Sequence, residues 1–112
     1  MKQGDVYLVD LNPKRRTEVG KTRPALIISI DEMTDHTPRV IVAPITSNIS
    51  RVYGSEMLIP ATGGLKKESK AMLNQIRSVD KSRLIERLGQ VDRLTLRASC
   101  DLAIRLITPP RW

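Results

Sequence analysis

Residues 20–29 read GKTRPALIIS, so a permanent cation, Arg23, stands immediately before Pro24 and an apolar run. A second apolar run, RVIVAPI (39–45), ends on the hydroxyls Thr46 and Ser47. A loop between the first strands, NPKRRTEVGKT (12–22), adds Lys14, Arg15, Arg16, Lys21 and the carboxylate of Glu18. Guanidinium groups pair bidentately with phosphoryl oxygens, and hydroxyls can donate to the same atoms. An arginine, a hydroxyl, a carboxylate and several cations brought to one rim would make a site for a phosphate group. The segment NQIR (74–77) adds Gln75 and Arg77. Lys66 and Lys67 would steer a polyanion. Each residue also has an ordinary reading: Arg23 a surface cation, Thr46 a strand-end threonine, Glu18 a carboxylate paired within its loop, Arg77 a partner of Asp80.

Convergence depends on strands. DVYLVDL (5–11), PALIISI (24–30) and RVIVAPI (39–45) are short, rich in Val and Ile, and bounded by turn residues. If the second and third form an antiparallel hairpin around the loop 31–38 with Ile30 opposite Arg39, Arg23 falls opposite Thr46, and opposed residues share a face. An antiparallel first strand brings the loop 12–22 to the same rim. The residue before a proline is pushed into an extended conformation, and proline is tolerated as the first residue of a strand, so Arg23 is presented from a stiff support. Further strands are expected at 55–60, 70–79 and 83–91, with ATGGLKKES (61–69) as a loop. From Asp92 to Ile107, Leu94, Ala98, Leu102 and Leu106 recur at helical spacing, with Asp92 as N-cap and TPP (108–110) as stop. The fold class expected is mainly β with one C-terminal helix, a small and strongly bent sheet or barrel in a single domain, 1–112.

The charge supports an anionic partner. Nineteen Lys+Arg against 12 Asp+Glu give +7. Only three aromatics, Tyr7, Tyr53 and Trp112, argue against a binding module that works by stacking successive bases. One cysteine, Cys100, excludes an internal disulfide and fits a reducing compartment, and no apolar stretch is long enough for a membrane span. The chain is expected to be cytoplasmic. His36 is the single histidine, and no Cys/His ligand cluster is present, so no metal or other cofactor is expected.

Four segments together resemble the MazF/PemK family of toxin endoribonucleases: GDVYLVDLNP, TEVGKTRPALIIS, VIVAPITSNI and LNQIRSVDKSRL. The resemblance implies an SH3-like barrel, a homodimer and metal-independent cleavage of single-stranded RNA. It also implies an acidic-tailed antitoxin across the active surface, with Arg23 and Thr46 as the catalytic pair and Glu18 as third participant. The chain looks closer to the MazF branch, for Met72, Asn74 and Thr17 stand where the PemK branch has an arginine, an aspartate and a histidine. Two rivals stay open on sequence alone: a basic nucleic-acid-binding barrel without catalysis, and a toxin of the same fold that poisons DNA gyrase as a protein inhibitor.

Overall fold

The computed structural model describes residues 1–12 and 21–111. Seven strands occur in the order β1 (Asp5–Asp10), β2 (Thr22–Ile27), β3 (Arg39–Thr46), β4 (Glu56–Ile59), β5 (Ser69–Met72), β6 (Arg77–Asp80) and β7 (Leu84–Gln90). Helix α1 (Asp31–His36) joins β2 to β3, and α2 (Arg93–Ile107) ends the chain. The strands pair antiparallel in the spatial order β4-β5-β3-β2-β1-β7, with β6 alongside the first half of β3. The register of β2 on β3 is the one expected, with Ala25 opposite Pro44, Leu26 opposite Ala43 and Ile27 opposite Val42.

Alternation along the strands buries both faces. One face carries Val6, Leu26, Ala43, Ile45 and Ala71 against Leu102 and Ala103 of α2. The other carries Val9, Leu11, Ala25, Ile27, Val40, Val42 and Val79. Residues i and i+2 of a strand share a side, so VYLVD and TRPALI feed two clusters at once.

Three expectations are corrected. The segment 31–38 is not all loop: Asp31–His36 form one short helix, whose Asp31 accepts from Gln3 N (2.7 Å) and whose buried Thr34 bonds the Ser29 hydroxyl (2.8 Å). Six residues are too few to show helical periodicity. The strand expected over 70–79 is two strands on one edge of β3. β5 places Lys70 opposite Thr46 and β6 places Arg77 opposite Val42. The 3-10 turn Leu73–Gln75 takes up the three-residue offset between them, anchored by buried Leu73. Residues 43 and 44 have no ladder partner on that edge, and Pro44, which has no N–H to offer, occupies the gap. Finally, β2 begins at Thr22, which puts Arg23 and Pro24 inside the β1–β2 ladder opposite Val9 and Leu8. Pro24 is tolerated because the β2–β3 ladder starts only at Ala25.

Closure comes from backbone contact. Gly63 (φ 62°) and Gly64 (φ 88°) lay the β4–β5 connection on β7 so closely that a Cβ on Gly64 would sit 2.1 Å from Leu88 O. A Cβ on Gly89 would meet Gly63 C at 2.3 Å. No side chain fits there, and φ in this range favours glycine.

Asp92 caps α2, accepting from Thr95 N (2.7 Å) and Thr95 Oγ1 (3.2 Å). The hydrogen bond from the Thr95 backbone, then that from its side chain, hold the Asp92 carboxyl below its ordinary pKa. A carboxyl depressed on folding adds stability above its unfolded pKa and loses it as pH falls through the folded value. Asp92→Ala is therefore expected to melt at lower temperature than the parent at neutral pH. The gap should close as pH drops through and below ~4, as thermal denaturation of both proteins across pH would show.

Candidate active site

The β1–β2 ladder seats Arg23 opposite Val9, on the side of the second apolar cluster. Continuing the β2–β3 register two positions past Ala25 and Pro44 puts Arg23 opposite Thr46. Thr46 is paired in turn with Lys70 of β5, and Lys70 with Leu58 of β4. Directly opposed residues of antiparallel strands share a face, so Val9, Arg23, Thr46, Lys70 and Leu58 form one row across five strands. At a strand spacing of ~4.8 Å, Arg23 and Leu58 are roughly 15 Å apart. Arg77, opposite Val42 on the same edge of β3, also belongs to this face and reaches Leu11 O (3.3 Å). Gln75 lies against Met72 of β5, its Nε2 3.7 Å from the sulfur.

Arg23 is half-buried, and its Nε is fully covered without a hydrogen-bond partner among the described residues. Buried polar groups are otherwise nearly always paired, and a charged donor left unpaired is costly. Thr46 Oγ1 accepts from Asn48 N (3.2 Å). With that lone pair occupied, the hydroxyl hydrogen can turn towards an incoming oxygen. A guanidinium with an unused donor and a hydroxyl able to donate thus share one face of the sheet. An anion is the natural complement.

Ser47 goes elsewhere. It lines a cleft of about 350 Å³ with Pro24, Ile45, Lys66, Lys67 and Leu88, residues belonging to the other face of the ladder. Alternation is the reason: one step beyond Thr46 turns the side chain over. Lys21 is exposed, in a left-handed conformation (φ 62°) that its N–H to Asn12 Oδ1 (2.8 Å) helps hold. Arg77 and Asp80, three apart in a strand, point to opposite sides. Asp80 accepts from Ser82 N (2.8 Å), and that bond, with the Ser82 hydroxyl and then the charges of Arg39 and Arg83, keeps its carboxyl below its usual pKa. Lys14, Arg15, Arg16, Thr17 and Glu18 lie outside the described residues.

One part of the row had no signal in the sequence. Lys70, between Ser69 and Ala71 in a fully buried strand, donates to Glu56 Oε1 (2.9 Å) and Arg51 O (2.7 Å). The two side chains are 10% and 7% exposed. Glu56 also accepts from Tyr53 N (2.8 Å), so the ion pair pins the β3–β4 connection beside Thr46. Among the described residues, no group of three His, Cys, Asp or Glu is placed to hold a metal ion, and no helix is long and apolar enough to cross a membrane.

A twisted antiparallel sheet closed through glycine contacts, backed by a terminal helix and carrying a basic row at one rim, defines a small β-barrel protein suited to a polyanionic ligand. The family model for the PemK-like, MazF-like toxin of type II toxin–antitoxin systems matches residues 2–107, and the chain belongs to that family. It is 38% identical over 112 residues to the endoribonuclease MazF9 of Mycobacterium tuberculosis, covering 95% of this chain and 94% of that one. Among solved structures, MazF of Deinococcus radiodurans (Form-I) superposes with a TM-score of 0.84 at 25% identity, over 96% of each chain. The MazE–MazF structure (Form-I) from the same organism gives 0.72 at 27% identity, over 96% of this chain and 95% of the other.

Removing one member of a buried ion pair strands the other charge, whereas replacing both with apolar groups is often neutral. Lys70→Ala is expected to cost about 3–5 kcal/mol, and Lys70→Met combined with Glu56→Leu much less. Urea denaturation of the single and double variants checks this; equal losses would mean the pair is not buried as described.

Proposed function

We propose that this toxin is a metal-independent endoribonuclease that cuts single-stranded RNA by attack of the 2′-OH on the adjacent phosphate. The observation that carries the reading is the Arg23 Nε, covered and without a partner among the described residues, on the face of the sheet that Thr46 shares. The Arg23 guanidinium binds the phosphoryl oxygens and neutralises the charge that grows on them in the transition state. Thr46 donates a further hydrogen bond to the same oxygens. It is not assigned as base, because an unactivated hydroxyl is a poor one and its acceptor side is occupied by Asn48 N. Glu18 takes the 2′-OH proton. Glu56, the carboxylate beside Lys70 on this face, is committed to Lys70 and Tyr53 N. Lys14, Arg15, Arg16, Lys21 and Arg77 attract and seat the strand, and Gln75 reads a base.

The MazF9 relative is named an endoribonuclease, which supports the RNA substrate. The MazE–MazF structure supports a cognate antitoxin for this chain as well. An acidic antitoxin tail laid over the Arg23–Thr46 row would complement the +7 charge and displace RNA. Outward-facing Leu94, Ile104 and Ile107 of α2, with Ile30 and Ile85, favour a homodimer. The single cysteine fits a reducing compartment such as the cytoplasm.

The test is incubation of purified protein with a long single-stranded RNA in EDTA. Cleavage at a few fixed sites is expected, leaving 2′,3′-cyclic phosphate and 5′-OH ends. Arg23→Ala should slow cleavage at least ~100-fold, with Thr46→Ala also strongly impaired. Products carrying 5′-phosphate, or activity restored only by added metal, would refute the mechanism. Binding without cutting would indicate a nucleic-acid-binding barrel.

A further inference from the structure

The row that begins at Arg23 and Thr46 runs on into a second built feature. Lys70, the ladder partner of Thr46, holds its ammonium 5.8 Å from the centroid of the Tyr53 ring. Arg51 sits at the hydroxyl end of that ring, with Nη1 3.3 Å from the phenol oxygen and Cζ 5.7 Å from the centroid. Cations at these distances are attracted to an aromatic face. The backbone beneath is fastened twice: Tyr53 N donates to Glu56 Oε1, and Glu56 N donates to Tyr53 O (3.0 Å). Yet Tyr53 is 56% exposed.

An aromatic left in water beside two cations, on a backbone locked by a buried ion pair, is poorly explained by folding alone. Burial would have favoured turning the ring inward. An immobilised ring loses little conformational freedom when a flat ligand lands on it. Its position selects the ligand. The ring lies beside the ammonium of Lys70, and Lys70 is the ladder partner of Thr46, one strand spacing along the row that would carry the phosphate.

We infer that Tyr53 is a stacking platform for one unpaired nucleobase next to the scissile phosphate, with Arg51 receiving that nucleotide's own phosphate. The Lys70–Glu56 pair is the positioning device that sets the ring relative to Thr46. The inference rests on the ribonuclease reading above and adds a subsite to it. One aromatic is enough here: a single stack fixes the strand's register at the cut, whereas a non-specific binder needs a series of rings.

The test uses short RNAs spanning a site that the parent protein cuts, each lacking the base at one position beside the cut. With the parent, one abasic position is expected to raise KM about 5- to 100-fold, with kcat little changed. Tyr53→Ala should show that raised KM on intact RNA and no further penalty at the abasic position. Tyr53→Phe and Tyr53→Trp should retain both the low KM and the penalty, which also separates stacking from misfolding. Parental KM for Tyr53→Ala on intact RNA, or an abasic penalty that survives in it, overturns the platform while leaving the ribonuclease standing. If the parent cuts no RNA, both readings fall together. If Tyr53→Ala cuts like the parent but binds an acidic antitoxin peptide more weakly, the ring is a protein-docking residue and the inference is wrong.

Discussion

The β2–β3 ladder begins at Ala25 opposite Pro44, and everything at the site follows from where it stops. Pro24 cannot donate a backbone hydrogen bond, so the pairing ends before it, while the β1 ladder continues past it to Thr22. Arg23 is thereby held on one side by a strand and left open on the other. The residue it faces across the opening, Thr46, is fixed independently by its ladder with Lys70. Two rigid supports thus converge on an unpaired mouth. That arrangement is how a fold can keep a guanidinium in place without spending its donors on its own backbone.

The two cations of the row illustrate opposite uses of charge. Lys70 is satisfied by Glu56 and the Arg51 carbonyl, and it organises the loop that presents Tyr53. Arg23 has a covered Nε with no partner among the described residues. An unmade hydrogen bond of a buried group costs ~1–3 kcal/mol, more when the group is charged. Local rules are commonly broken at sites kept for a ligand. A structural arginine would have found a carbonyl, as Arg83 does at Asp10 O (3.4 Å) and Asn12 O.

The remaining architecture keeps this row in register. The three-residue turn Leu73–Gln75 lets β5 and β6 share one edge of β3, so Lys70 and Arg77 both reach the same face although they lie on separate strands. Glycines at 63, 64 and 89 allow the β4–β5 connection to close on β7. Helix α2 seals the opposite face with Leu102 and Ala103. None of these elements touches the proposed phosphate position, yet each sets the distance between residues that do.

From the sequence alone, the first three strands, the helix with its Asp92 cap and the β2–β3 register could all be read. Each rests on local chemistry: β-branched runs, helical spacing, a capping carboxylate and the restriction that Pro24 places on its neighbour. The tertiary structure alone decided three things. It split the expected 70–79 strand, because a jog between strands leaves no mark on side-chain type. It sent Ser47 to the far face, because orientation at a strand end depends on which neighbour the chain meets next. And it joined Lys70, Glu56, Arg51 and Tyr53 into one cluster, because a buried ion pair between residues on different strands is written nowhere along the chain until pairing brings the two charges together.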